Sequence, residues 1–390
     1  MQRREFLTFS GGLGAAMLMP PLALAQASTG YRNLLILVEL KGGNDGLNTV
    51  VPYSQQAYYA LRPRIAIKRD EALQLDQNTG LHPALQPLLP LWQAGELAIV
   101  QGVGYPQPNL SHFRSIEIWD TASKSDQYLH DGWLSRAFQQ RPAPAQFSAD
   151  GVIIGSQELG PLQGGARAVA LANTGQFINN ARLATPALFS RNATLEHVLK
   201  VESDIVNAAE GLKDAKGQEF KTEFPKSAFG EVVKTAAQVV ANGERTGKRV
   251  AALRLTLGSF DTHQNQPGTQ ANLLGQLAHG MVALKSSLQE LGRWDSSLVM
   301  SYAEFGRRPK ENMSSGTDHG TVAPHFVLGG RVKGGLLGAM PDLARLDGSG
   351  NLAYAVDFRS MYATALSKWW GVDAAAVLGG RYPTLDFLRA

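Results

Sequence analysis

The sequence predicts an α/β fold in which helices cover both faces of a mostly parallel central sheet and a helical insertion interrupts the alternation. Two observations carry that prediction. Continuous β-rich apolar runs recur at Asn33–Leu40 (NLLILVEL), Leu97–Val103 (LAIVQGV), Arg249–Leu257 (RVAALRLTL) and Ser297–Tyr302 (SLVMSY), the pattern of strands buried on both faces. Helical patterns lie between or after them at Pro83–Gln93, Ser111–Ala122, Thr269–Leu291 and Asp357–Trp370, and such alternation marks parallel strand–helix–strand units.

Taken in order, residues 1–25 stand apart. Arg3-Arg4-Glu5-Phe6-Leu7, a mostly apolar stretch and Ala23-Leu24-Ala25 read as a twin-arginine export signal. That reading predicts a partner in the twin-arginine export machinery, a periplasmic or secreted location and a mature domain over 26–390. Pro20-Pro21 breaks the apolar stretch, and a spanning helix needs roughly 20 apolar residues, so no stable membrane span is expected. Further along, Gly151–Gly155 and Arg167–Leu171 read as short strands. Residues 190–248 are rich in Ala, Glu, Lys and Leu, with Leu195, Val198, Leu199 and Ile205 at helical spacing, and read as the helical insertion or cap. Gly329–Gly338 (GGRVKGGLLG) lacks the Gly-Lys-Ser/Thr of a phosphate loop and reads as a hairpin turn.

Composition narrows the function classes. With 390 residues, 44% hydrophobic and 18% charged, the chain can bury a large core. Removing residues 1–25 takes away two Arg and one Glu, so the net charge falls from +4 to +3. Basic residues are interleaved with acids and form no dense run, which argues against a nucleic-acid partner. An exported chain with no cysteine has no disulfides to hold it, so its core and any bound metal must do so.

Five polar motifs stand at the ends of the apolar runs: Asp45-Gly46, Ser111-His112, Asp261-Thr262-His263, Glu304-Phe305-Gly306 and Asp318-His319-Gly320. Residues just past the carboxyl ends of parallel strands converge on one crevice. Acids and imidazoles gathered there can bind divalent metal. Asp45 follows the first strand in a Gly-rich turn and is a candidate ligand, although Asn-Asp-Gly is turn chemistry anywhere. Ser111 opens a helix, where unpaired N–H groups favour an anion, and is the candidate nucleophile, with N-capping as its other reading. Asn109 and His112 beside it, together with Arg308, are candidate substrate contacts. Asp261 and His263, two positions apart in an extended segment, point to one side and can share an ion. Glu304 is a candidate ligand at a strand end, and Arg307 or Arg308 can neutralise a tetrahedral oxyanion by paired hydrogen bonds. Asp318 and His319 add a second acid and imidazole pair.

These strings resemble an exported bacterial family, domain-of-unknown-function family 1501. Its GG-x-DGLN-x-x-VP, SHF, DTH-x-x-Q, SEFGR and TDHG strings stand here within Gly42–Pro52, Ser111–Phe113, Gly258–Gln266 and Ala303–Gly320. Ser259 replaces a usual glycine, Ala303 a usual serine, and Met313-Ser314-Ser315 alters the approach to Asp318. The family in turn resembles the alkaline phosphatase and sulfatase superfamily, which implies an alkaline-phosphatase-like fold. By that resemblance Asp45, Ser111 and Glu304 would bind one metal, and Asp261, His263 and His319 the other. Phe305 stands where the superfamily places an imidazole. Sulfatase chemistry is disfavoured, because the chain has no cysteine and Phe113 and Ser115 occupy the Pro and Arg positions after Ser111. The resemblance implies an exported metal-dependent hydrolase of phosphate or related anionic esters, small-molecule or polymer-borne, using Ser111 as nucleophile and one or two divalent ions, with zinc the expected metal. The alternative is a non-catalytic periplasmic protein that binds a ligand or another exported protein.

Overall fold

The computed structural model describes residues 30–171 and 219–389. The export signal expected over 1–25, and residues 190–218 of the expected helical insertion, lie outside the described residues.

The apolar runs form strands. In chain order these are β1 (Leu34–Leu40), β2 (Leu97–Gly104), β3 (Gly151–Ile154), β4 (Ala168–Leu171), β5 (Ala252–Leu257) and β6 (Ser297–Tyr302). A small hairpin of β7 (Arg307–Glu311) and β8 (Thr317–His319) follows, then β9 (Ala323–Leu328), β10 (Gly335–Leu337) and β11 (Val356–Asp357). The central sheet has nine strands in the order β10-β2-β9-β6-β1-β5-β3-β4, with β11 also paired to β2. Only β9 is reversed: it runs antiparallel to β2 and β6, while every other pairing in the sheet is parallel. The fold is therefore the mostly parallel, helix-covered α/β sheet that the alternation predicted.

Alternation along β1 divides the core in two. Leu34, Ile36, Val38 and Leu40 face one layer, which is closed by Phe229 and Val233 of α3 (Ala228–Thr246) and Leu274 and Leu277 of α4 (Gln266–Glu290). Leu35 and Leu37 face the opposite layer, with Ile118 and Trp119 of α1 (His112–Thr121), Leu134 of α2 (Trp133–Gln140) and Met361 of α5 (Phe358–Thr364). Each fully buried aliphatic side chain contributes about 1.5–3 kcal/mol, so a central strand buried on both faces needs no polar side.

Helix ends follow local chemistry. α4 starts at Gln266, earlier than the pattern from Thr269 predicts, because Pro267 in its first turn has its φ already set for a helix. The segment expected as one helix over Asp357–Trp370 is α5 followed by a π-turn at Ala365–Trp370, ended by Gly371 in the left-handed region. α3 lies in the part of the 190–248 segment that is described. Gly329–Gly338 is not a hairpin turn. It carries the chain from β9 across to the far side of β2, where Gly335–Leu337 pairs parallel with Ala98–Val100, so its glycines serve a crossover. Among the described residues no helix is long and apolar enough to cross a membrane.

Candidate metal centre

Three chain segments leave the carboxyl ends of β1, β5 and β6 and meet. Gly42, at φ +115°, sits where a Cβ would come within 2.5 Å of the Asp261 amide, so only glycine lets the β1 and β5 loops touch. Its N–H donates to Glu304 Oε1 at 2.8 Å, which fastens the β6 loop to the same point.

Arg307 ties these loops from below. Its side chain is fully buried, and it donates to the carbonyls of Gly43 (2.7 Å), Thr317 (2.9 Å), Phe260 (3.1 Å) and Gly42, and to Asp261 Oδ1 at 2.6 Å. The oxyanion role expected for Arg307 is therefore corrected: its guanidinium is engaged with the protein itself. Arg308, next on β7, offers its carbonyl to Arg62, and its Nε is buried without a hydrogen-bond partner.

Above Arg307, three imidazoles converge on Asp261. His319 donates from Nδ1 to the Leu110 carbonyl (2.8 Å), so in the neutral ring Nε2 is the lone-pair nitrogen, 3.1 Å from Asp261 Oδ1 and 3.0 Å from His263 Nε2. His112 donates from Nδ1 to Glu304 Oε1 (2.9 Å) and turns Nε2 toward Asp261 Oδ2 at 3.4 Å. His263 places Nε2 3.0 Å from both Asp261 Oδ1 and His319 Nε2, with Asp318 behind its Nδ1 at 3.5 Å. Ligand atoms of His112, Asp261 and His319 all lie within 4.8 Å of one another. Phe305 forms an aromatic floor, its ring 4.9 Å from that of His112 and 4.4 Å from that of His319.

The electrostatics follow from these partners. Burial would raise the Asp261 carboxyl, but the Arg307 hydrogen bond and charge, with His319 and His263, bring it down to about 2. The Glu304 hydrogen bond raises His112, whereas burial lowers His319. A neutral imidazole lone pair facing a carboxylate is repulsive unless a proton or cation lies between them. The donor set of His112, Asp261 and His319 fits a metal cation: imidazole nitrogens held by an acceptor at the opposite ring nitrogen are the usual metal-ligand arrangement.

Of the sequence candidates, Asp261, His263 and His319 are brought together, and His112, expected as a substrate contact, stands with them. Glu304 stands one step behind, orienting His112, with Oε2 buried and unpartnered. Asp318 stands likewise behind His263. Asp45 is corrected: its buried carboxylate pairs with Arg62 (2.5 and 2.9 Å), accepts from Gln266 (2.5 Å) and caps the short helix Gly46–Thr49. The turn reading of Asn-Asp-Gly prevails there because Arg62, distant from any motif, folds back onto it. Asp45→Ala is expected to cost about 3–5 kcal/mol in thermal or denaturant unfolding, since it leaves Arg62 buried and unpaired. Asp45→Asn, if it folds, should retain the wild-type metal stoichiometry. Ser111 is exposed at the N-terminus of α1 and its side chain makes no capping hydrogen bond. Asn109 shapes the approach, its side chain accepting from the Ser111 N–H at 2.9 Å.

A family model described as a protein of unknown function (DUF1501) matches residues 66–380. No curated protein matches the chain. Among solved structures, Ps i-CgsB is similar with TM-score 0.40 and 10% identity, over 90% of this chain and 72% of that one. A protein in the alkaline phosphatase superfamily from Vibrio parahaemolyticus gives TM-score 0.40 and 10% identity over 90% and 69% of the two chains. The zinc complex of the C-terminal periplasmic domain of EcEptC from Escherichia coli gives 0.37 and 11% over 76% and 72%. At these scores the overlap is partial, and the fold rests on the strand pairings themselves.

Proposed function

Starting from the fact that this chain belongs to the DUF1501 family, whose description assigns no activity, we propose that it is a metal-dependent hydrolase of phosphate or related anionic esters. One observation carries the reading: His112 and His319 each have Nδ1 held by an acceptor and Nε2 turned toward the carboxylate of Asp261. His112, Asp261 and His319, with His263, would hold the ion, and zinc is the best match to nitrogen and carboxylate donors. When bound, such an ion supplies positive charge to an anionic ester and lowers the pKa of a nearby hydroxyl. Ser111, beside His112 and free of capping duty, is the proposed nucleophile. Its oxygen would form the bond to phosphorus as the bond from phosphorus to the alcohol oxygen breaks and the serine proton leaves on the alcohol; water would then cleave the phosphoserine bond, its oxygen going to phosphate and one of its protons restoring the hydroxyl. Read with the Arg3-Arg4 motif, this activity belongs outside the cytoplasm, in the periplasm or secreted.

The engagement of Asp45 by Arg62 favours one ion over two, and it also motivates a second reading as a non-catalytic exported protein that keeps one metal. A panel of aryl and alkyl phosphate esters separates the two. Turnover that chelation abolishes, and that Ser111→Ala lowers by about 10³-fold or more, is the expected result. Bound metal with no turnover on any ester would establish the second reading.

A further inference from the structure

A cavity of about 700 Å³ opens from the metal centre and runs along α1. His112, Ile116 and Asp120 line it at four-residue intervals, so they share one helix face. Two turns separate the first from the last, about 12 Å along the axis. The cavity is thus a groove with the imidazoles at one end and Asp120 at the other.

Its charges do not balance. Five carboxylates line it, from Glu117, Asp120, Glu158, Asp261 and Glu304, against the single ammonium of Lys41. Glu158 is matched by Lys41 (2.7 Å), Glu117 by Arg114 (2.9 Å) and Asp261 by Arg307 (2.6 Å). At the far end, one guanidinium, Arg254, faces two acids. It bonds Glu39 Oε2 at 2.7 Å, and Asp120 is left with a 3.4 Å contact from the Tyr302 hydroxyl. At the near end, Glu304 is 2% exposed and its Oε2 has no partner. Between the ends, the wall is apolar: Ile116, Leu159 and the ring of Phe113, which is 89% exposed.

We infer that this groove is a subsite for the alcohol portion of the substrate, which carries an ammonium group on a short apolar stem. The inference rests on the hydrolase reading above for the position of the ester and extends it to the substrate's class. The anionic group lies at the imidazoles, the stem crosses Ile116 and Leu159, and the ammonium approaches Asp120, with the face of Phe113 able to receive a quaternary cation. An anion of any size would be repelled by the far end, so the groove selects zwitterionic esters over doubly anionic ones.

Asp120 also links the subsite to pH. Burial pushes its carboxyl up to about 7. The groups facing it are Arg254 on β5, Glu39 on β1, Tyr302 on β6, Tyr362 on α5 and Glu158 in the loop after β3. A cation binds the ionised form, so ammonium affinity should strengthen as pH rises through about 7.

Calorimetric titration of the zinc-loaded full chain with choline, phosphocholine, glycerol phosphate and inorganic phosphate tests this. Phosphocholine is expected to bind more tightly than glycerol phosphate, and Asp120→Asn to weaken choline and phosphocholine by about tenfold or more. Ile116→Lys, at a half-buried position on the groove wall, should remove the preference for phosphocholine even if Asp120→Asn fails to fold. Equal or tighter binding of glycerol phosphate, or choline binding unchanged in both variants, overturns the subsite. Because choline binding needs no turnover, an Asp120-dependent signal in a protein that hydrolyses no ester would retain the subsite and end the hydrolase reading. Turnover with no ammonium preference would do the reverse.

Discussion

Replacing His319 with alanine is expected to lower zinc affinity by at least about a hundredfold while the fold survives. The size of the effect follows from the way the ring is held. The Leu110 carbonyl can only accept, so Nδ1 carries the proton and Nε2 presents a lone pair to Asp261 Oδ1 at 3.1 Å. No rotation relieves that opposition, because the ring lies against Phe305 on one side and meets His112 edge-on, 4.4 Å between centroids. A cation between them, or a proton on His263 Nε2 at 3.0 Å from both, turns the opposition into binding, and a cation gains all three groups as ligands. The pH dependence has a definite sign. Asp261 is ionised above about 2, burial lowers His319, and the Glu304 hydrogen bond raises His112, so His112 gives up its proton at higher pH than His319. Its hydrogen bond to Glu304 holds it protonated to higher pH than an ordinary histidine, and zinc affinity should climb as that proton leaves. Glu304→Gln should move the midpoint of the climb to lower pH. Competition against a colorimetric chelator at several pH values measures both effects, and an affinity indifferent to His319→Ala would show that the imidazole cluster is not the metal site.

The sheet and half of the site were legible in the sequence for one reason: burial on both faces leaves an unbroken apolar run whose end is marked by a polar motif. β1 and β6 end within a residue of where NLLILVEL and SLVMSY place them, and Asp261 and His263, past the end of β5, lie against His319 of the β7–β8 hairpin. What stayed hidden was the identity of each carboxylate's partner. Asp45 and Glu304 carry the same local signature as Asp261, yet one faces Arg62 and the other His112. Those partners come from elsewhere in the chain, and a local motif contains no information on which cation folds back to it. The same holds for Asp120 and Glu39, which look like ordinary helix and strand residues until the sheet stacks Arg254 between them. His112 was the one contributor with a usable signal, since it follows Ser111 at the helix start and so must project near the strand ends.

Arg307→Met should destabilise the protein by about 3–5 kcal/mol, and Arg307→Lys should rescue little of that loss. The guanidinium spans the loops after β1 and β5 and the start of β8, with Nε on the Gly43 carbonyl, Nη1 on Thr317 and Nη2 shared among Gly42, Phe260 and Asp261. A lysine ammonium of the same charge has one nitrogen and cannot reach carbonyls on three sides. The variant therefore leaves buried acceptors unpaired and frees Asp261 from the group that lowers its pKa most. That second effect gives the prediction a signature beyond lost stability. The folded-state pKa of Asp261 is depressed, so its contribution to stability is present above the ordinary aspartate value of about 3.9 and is lost as pH falls toward about 2. Without Arg307 the carboxylate takes up its proton at higher pH, so acid unfolding followed by circular dichroism should begin earlier and zinc should dissociate before the fold does. A lysine variant with wild-type stability, metal content and acid limb would mean that Arg307 supplies only charge, and the architecture described for the crevice would have to be redrawn around a simpler ion pair.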